Sequence, residues 1–250
     1  MDAPEKGKSV FSGKADVYAR NRPSYPPELI RWLKGHADLD AVADIGAGTG
    51  IFTACLAPEC GSLIAVEPND DMRAALQARL PRVRCLPGSA EETGLPESSL
   101  SLVAVAQAFH WFDEERFRRE CRRILRRDGK LAVVWNNWRD CGVRAAAEAV
   151  FRRYCPEFHA AHAGKRTVEE GDRFLRESYF REVEVFRCPN PVRSGEEQFV
   201  GEKLSRSYAP SPGAPEYRDF IAAQRQVFRE FARGGEVTEE YESVVYLGSF

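Results

Sequence analysis

From residue 41 onward, short solid apolar runs alternate with amphipathic stretches, and this alternation is the main signal in the chain. Ala41-Val42-Ala43-Asp44-Ile45 reads as a buried strand and Gly46 to Gly50 as a glycine-rich turn. Ile51 to Ala57 opens a helix that Pro58 ends. Ser62 to Val66 is a second strand. Asp70 to Leu80 is a second helix, with Met72, Ala75, Leu76 and Leu80 at helical spacing. Val83 to Leu86 is a short third strand. Leu100 to Ala106 is a fourth, apolar on both faces as a parallel strand covered by helices should be. Asp113 to Arg127 reads as a helix and Leu131 to Trp135 as a fifth strand.

The flanks are looser. Residues 1–34 are polar and then helical. Pro26 and Pro27 break one helix, and Glu28 to Lys34 begins the next on Leu29, Ile30 and Leu33. After Asn137, Val143 to Tyr154 looks helical and residues 156–180 are mixed. Glu182 to Cys188 alternates like a strand. Helical stretches near residues 195–207 and 216–232 flank Ala209-Pro210-Ser211-Pro212-Gly213, and Tyr241 to Leu247 closes as a strand. Strand–helix units followed by two late strands predict an α/β fold. The expectation is a Rossmann-like, doubly wound, seven-stranded, mostly parallel sheet with an antiparallel edge strand and a helical lid. Its parts are a helical cap over 1–34, a ligand-binding core over 35–139, and lid plus last strands over 140–250.

The Asp113 helix carries a row of arginines from Arg118 to Arg127. A nucleic-acid face is one reading. A solvated face balanced by Glu114, Glu115 and Glu120 is preferred, with Gly129 as a left-handed stop. Composition supports that preference. The 250 residues carry 36 basic against 38 acidic side chains, whereas a polyanion binder carries a basic surplus. No apolar run approaches the roughly 20 residues of a membrane span. Met1 to Ser12 is polar and has no signal-peptide core. The seven cysteines show no C-x-x-C pair, so reduced thiols in a cytoplasmic protein are expected, with no metal.

The strongest chemical feature is Asp44-Ile45-Gly46-Ala47-Gly48-Thr49-Gly50 at the end of the first strand, where open α/β sheets bind ligands. Its spacing is G-x-G-x-G. The dinucleotide fingerprint G-x-G-x-x-G would need glycine where Ile51 stands, which disfavours a nicotinamide oxidoreductase. Glu67 ends the second strand, placed to accept hydrogen bonds from both hydroxyls of a ribose.

At these residues the chain resembles the class I S-adenosylmethionine (SAM) dependent methyltransferases. Val66-Glu67-Pro68-Asn69-Asp70-Asp71-Met72 looks like that family's second-strand segment. Gly88-Ser89-Ala90-Glu91-Glu92 looks like its adenine-side loop, and Gln107-Ala108-Phe109-His110-Trp111-Phe112 like its fourth-strand exit. With Tyr18 to Pro26, Ser205 to Pro210 and Val245 to Gly248, the chain is similar to the methyltransferase type 11 group that includes trans-aconitate methyltransferase-like proteins. The resemblance implies that Asp44, Gly46, Ala47, Gly48 and Gly50 hold the methionine part of SAM and Glu67 the ribose. It also implies that Pro68 and Met72 flank the adenine, Ser89, Ala90 and Glu91 line its edge, and Gln107 and Ala108 lie beneath the sulfonium. Two departures stand out: serine replaces the Asp that many relatives carry at positions 89 and 101.

The implied reaction is direct transfer of methyl from SAM to an oxygen, carboxylate or hydroxyl, of a small molecule, leaving S-adenosylhomocysteine. His110 is either a general base for a hydroxyl acceptor or, with Trp111, a pocket wall. Arg22 either forks onto a carboxylate or caps the preceding helix. Tyr18, Tyr25, Arg206 and Tyr208 are expected to close the lid over the substrate. Neither nucleic acid nor membrane is expected as a partner, and the protein is expected as a monomer or homodimer. Two further readings stay open: a non-catalytic SAM-binding regulator, and a methyltransferase acting on a macromolecule.

Overall fold

A computed structural model describes residues 15–156, 158 and 166–250. The expectation for Met1 to Ser12 lies outside the described residues. The chain opens with α1 (Ala15–Asn21) and α2 (Pro27–His36), separated by the strap that carries Ser24 and Pro26. Then come β1 (Ala41–Ile45), α3 (Ile51–Leu56), β2 (Ser62–Val66), α4 (Asp70–Arg79) and β3 (Arg84–Leu86). β4 (Leu100–Ala106), a 3-10 turn (Phe109–Trp111), α5 (Glu114–Ile124) and β5 (Leu125–Trp138) complete the first half. The second half runs α6 (Gly142–Tyr154), α7 (Val168–Phe174), β6 (Glu182–Pro189), β7 (Val192–Ser194) and α8 (Glu196–Leu204). It ends with α9 (Tyr217–Phe231), β8 (Val237–Glu239) and β9 (Tyr241–Ser249).

Seven strands form one sheet in the order β3-β2-β1-β4-β5-β9-β6. Pairs from β3 through β5 are parallel. β9 runs antiparallel to both β5 and β6, so the antiparallel strand lies at the expected end of the sheet, one place in from its edge. The chain winds outward from β1 to β3, returns to β4 and then winds the other way. This reversal opens a crevice between the carboxyl ends of β1 and β4. Alternate residues of the central strands feed two cores. Ala43, Ile45, Val103 and Val105 pack on one face with Phe117 and Ile124 of α5. Val42, Leu102 and Ala104 pack on the other with Leu29 and Leu33 of α2 and Phe52 of α3.

Helix α5 differs from its expected form in two ways. It stops at Ile124, because Leu125 turns extended and enters β5 directly. Gly129 is absent from the residues with positive φ, so it is not a left-handed stop. Glycine is needed there for space, since a Cβ would stand 3.0 Å from the Leu100 carbonyl oxygen. Glu120 is not on a solvated face either. It is 8% exposed, accepts from Thr93 N at 3.0 Å and from Thr93 Oγ1, and pairs with Arg123 at 2.7 Å. Two more arginines of the row have partners inside the molecule: Arg118 donates to the Ser178 and Tyr179 carbonyls, and Arg126 reaches Asp40.

The lid has its own core. Val143 and Ala147 of α6 meet Phe199 of α8, Val227 and Phe228 of α9, and Val237 of β8. β7 and β8 form a separate two-stranded sheet there. α7 arises inside the stretch read as mixed, and a capping box between Thr167 and Glu170 starts it. Among the described residues no helix is long and apolar enough to cross a membrane.

Replacing Glu120 with Ala leaves the buried Thr93 donors without their acceptor and Arg123 with only the Leu95 carbonyl. Urea unfolding is expected to register a loss of about 2–3 kcal/mol. A change below about 0.5 kcal/mol, the scale of an ordinary surface substitution, would contradict this account of α5.

Candidate functional site

The strand ends at the β1/β4 crevice open into a pocket of about 190 Å³. Asp44, next to last in β1, is 1% exposed. Its Oδ2 accepts from Thr53 Oγ1 at 2.6 Å, and its Oδ1 has no hydrogen-bond partner among the described residues. Burial pushes its pKa up to about 7, with the nearby Glu67 carboxylate adding to the rise and the Thr53 hydrogen bond opposing it. Glu67 follows β2 and is also buried. Its Oε2 accepts from Gly48 N at 2.8 Å and its Oε1 from Asn69 N at 2.9 Å. Burial raises its pKa, while the two backbone donors pull it down. The backbone therefore fixes the orientation of this carboxylate, and its remaining lone pairs are available to a ligand.

The glycines play different parts. Gly46 has φ +69°, and a Cβ there would stand 2.8 Å from Ala108 Cβ. Gly48 also has positive φ, but nothing lies within 4 Å of where its Cβ would be, so its free side faces the pocket that it lines. Gly50 does not line the pocket. It takes φ +79° at the start of α3 and makes room for Leu76 of α4.

Pro68, Met72, Ser89, Ala90 and Glu91 line one end of the cavity. Asn69 caps α4 by accepting from Met72 N at 3.0 Å, which places Met72. Ser89 Oγ accepts from Glu92 N at 3.2 Å, and Glu91 Oε1 from Asp113 N at 2.9 Å. The serine at 101 is structural: its hydroxyl bridges to Ala41 N and O, both at 3.0 Å, and joins β4 to β1. Gln107 and Ala108 line the floor, and Gln107 takes φ +58°, a left-handed backbone unusual for a side-chain-bearing residue.

The far end is closed by Tyr18, Arg22, Pro23 and Tyr25 from the cap, by Arg206 from the lid and by Tyr241 at the start of β9. Arg22 lies over the Tyr18 ring and donates to the Ser205 carbonyl at 3.3 Å. Below it sits a buried ionic cluster. Glu202 meets Arg206 at 2.6 Å, Lys203 at 2.9 Å and Arg22 at 3.7 Å, and Lys203 also meets Glu239. Burial alone would raise the Glu202 pKa, but Arg206, Lys203 and Arg22 hold it below the usual carboxylate range.

Besides Gly50, two expected site residues lie elsewhere. His110 is exposed and lines a neighbouring cavity with Trp135 and Asn137, its ring 4.8 Å from that of Trp111 and 5.4 Å from that of Trp135. The 3-10 turn has about three residues per turn. Ala108 and Trp111 thus share the pocket side, and His110 points away. Tyr208 packs in the lid, its ring 5.1 Å from Phe151 and 5.2 Å from Phe158. Conversely, Thr49, Phe52, Phe112, Asn136 and Tyr241 line the pocket without having been singled out. A polar Asn136 between tryptophans at a strand's carboxyl end is the signal that was available for one of them.

The family described as a methyltransferase domain matches residues 43–133, the stretch that builds this crevice. That stretch is what the chain shares with the family. The chain is 44% identical over 126 residues to an uncharacterized methyltransferase of Mycobacterium tuberculosis, covering 50% of this chain and 51% of that protein. It is 36% identical over 134 residues to an uncharacterized methyltransferase of Schizosaccharomyces pombe, covering 52% and 53%. The matches thus span about half the length of these curated relatives. A putative type II methyltransferase from Anaeromyxobacter dehalogenans aligns in structure over 91% of this chain and 97% of its own, with TM-score 0.68 and 27% identity. A phosphoethanolamine N-methyltransferase of Haemonchus contortus shares the fold at 13% identity and TM-score 0.57, covering all of this chain and 61% of its own. The matched stretch runs from within β1 into β5, and the cap and lid close the crevice that it builds.

Asp44 gives the crevice a measurable signature. A buried acid with a raised pKa binds its proton more tightly folded than unfolded. Its stabilising contribution is therefore present at low pH and lost as pH rises through about 7. Asp44→Asn is expected to stabilise the unliganded protein by roughly 1–3 kcal/mol at about pH 8, with the gap narrowing towards about pH 5. Thermal unfolding of both proteins across that range checks this, and a difference that does not change with pH would contradict it.

Proposed function

We propose that the protein binds SAM in this pocket and directs methyl transfer to a carboxylate oxygen of a small acidic molecule. The observation that carries the reading is the pair of buried carboxylates at adjoining strand ends, one of them with an oxygen left open to a ligand cation. Asp44 suits the ammonium group of the methionine part, next to the open face of Gly48. Glu67 suits the ribose diol, because two backbone amides already hold its oxygens in place. Pro68, Met72 and Ala90 offer apolar surface to the adenine, and Ser89 offers a hydroxyl. SAM supplies a methyl group already activated on sulfonium. The protein's part is then alignment of the acceptor and exclusion of water.

The acceptor end has the opposite charge preference. Three cations, the buried Lys203 and the half-buried Arg22 and Arg206, face two carboxylates, Glu202 and Glu239. The surplus positive charge favours an anionic acceptor. So does the position of His110. A hydroxyl acceptor needs a base within hydrogen-bond reach, whereas an ionised carboxylate does not.

Calorimetric titration tests the cofactor reading. SAM and S-adenosylhomocysteine are expected to bind the full chain, and Glu67→Ala to weaken both by about tenfold or more, as the loss of a charged hydrogen-bond acceptor requires. Absence of heat with the wild-type protein, or unchanged affinity in Glu67→Ala, would contradict it. Incubating a metabolite extract with methyl-labelled SAM tests the acceptor. Label is expected in base-labile methyl esters. Arg22→Ala is expected to raise the acceptor KM by about tenfold or more while leaving SAM affinity near its wild-type value. Label confined to ethers or amines would overturn the carboxylate assignment.

A further inference from the structure

Asn136 stands at the carboxyl end of β5, on the wall of the pocket, and one residue there ties four parts of the chain together. Its Nδ2 donates to the Ser24 carbonyl at 3.1 Å. Its Oδ1 accepts from Asn190 Nδ2 at 3.2 Å and from the Ser243 hydroxyl. Its backbone carbonyl accepts from Gln107 Nε2 at 3.0 Å. Asn190 donates to the same Ser24 carbonyl, at 2.9 Å. Ser24 lies between Pro23 and Tyr25, two of the cap residues that line the pocket, and follows Arg22. Gln107 is the floor residue with the left-handed backbone, and its amide nitrogen is held by the Val134 carbonyl at 3.0 Å.

These contacts form a span across the pocket. On one side the cap strap hangs from a carbonyl that two asparagine side chains grip. On the other the floor residue is held in a sparsely populated conformation by a side chain anchored on the same asparagine. Such backbone strain persists only where the surroundings over-determine it. Ser243 faces Asn136 across the β5–β9 ladder and donates to Oδ1, the side of the amide that does not hold Ser24.

We propose that Asn136 is a positioning residue for methyl transfer, fixing the distance between the cap strap at Ser24 and the floor at Gln107 so that the bound cofactor is held under a closed cap. The inference rests on the reading of the pocket as the SAM site. Without the Asn136 amide the strap keeps only Asn190, and the cap opens more readily. The effect falls on how long the cofactor stays rather than on whether the protein folds.

The test is release of labelled S-adenosylhomocysteine from the full chain, chased with unlabelled compound, alongside thermal unfolding of each unliganded variant. Asn136→Ala is expected to speed release by about tenfold, the scale of one or two lost hydrogen bonds. Asn190→Ala is expected to give a smaller increase, and the double variant a larger one than Asn136→Ala, since it removes both donors to one carbonyl. Ser243→Ala is expected to leave the release rate within about twofold of wild type. Asn136→Asp keeps the acceptor for Ser243 and Asn190 but loses the donor. It should match Asn136→Ala, and it serves if the alanine variant does not fold. Wild-type release from Asn136→Ala or Asn136→Asp, or equally fast release from Ser243→Ala, would overturn the proposal. Glu67→Ala separates the two claims: if it loses S-adenosylhomocysteine while the Asn136 variants release it at the wild-type rate, the site reading stands and this inference falls. If the wild type does not bind the compound, both fall.

Discussion

Burying a carboxylate without a full set of partners is expensive, and the architecture here is arranged around two such groups. Asp44 and Glu67 lie at the carboxyl ends of the neighbouring parallel strands β1 and β2, beside the β1/β4 crevice where the sheet reverses its winding. Glu67 is satisfied from the backbone, by the amides of Gly48 and Asn69, which requires the glycine turn to pass beneath it. Asp44 is satisfied on one side only, by Thr53 of α3. Gly46 and Gly50 let the turn take left-handed conformations while Ala108 and Leu76 press against it. The turn, the first two helices after it and the floor of the pocket therefore follow from where these acids are placed.

Charge is arranged oppositely at the two ends of the cavity. The sheet end offers carboxylates in search of a cation, and the lid end offers cations held by too few carboxylates. The second arrangement explains how a nearly neutral chain with 29 arginines and seven lysines carries local fields that its total charge conceals. Lys203, fully buried, sits against the rings of Trp138 and Phe199 and between two glutamates, so the lid core is built around an ionic cluster as well as around phenylalanines. Such clusters contribute little net stability. Here the cluster borders the pocket, where an acidic ligand would complete its balance.

The strands and their order of use were legible because each of β1, β2 and β4 is a solid apolar run closed by a glycine, proline or polar turn. The glycine turn and Glu67 were legible because their spacing is local. What escaped depends on contacts distant in sequence. Helical spacing puts Glu120 among polar residues, and only the approach of Thr93 buries it. Gly129 looks like a helix stop, but the need there is room beside the Leu100 carbonyl. His110 follows a strand exit that promised a pocket residue, and a tight turn of three residues rotates it away. The capping box at Thr167 and Glu170 was present in the sequence but lay in a stretch without a clear apolar period. Asn136 and Tyr241 reach the pocket from strands paired late in the chain, which no local pattern announces.

Asp44, with its pKa pushed up to about 7 and so about half protonated at neutral pH, waits for a ligand cation. Binding should then ionise it and release a proton. Titrating the protein with SAM at about pH 6.5–7 in buffers of different ionisation enthalpy measures this directly. The account predicts release of a substantial fraction of a proton per SAM bound to the wild-type protein and little or none with Asp44→Asn. Binding enthalpies independent of the buffer for the wild-type protein, or equal proton release from both proteins, would contradict it.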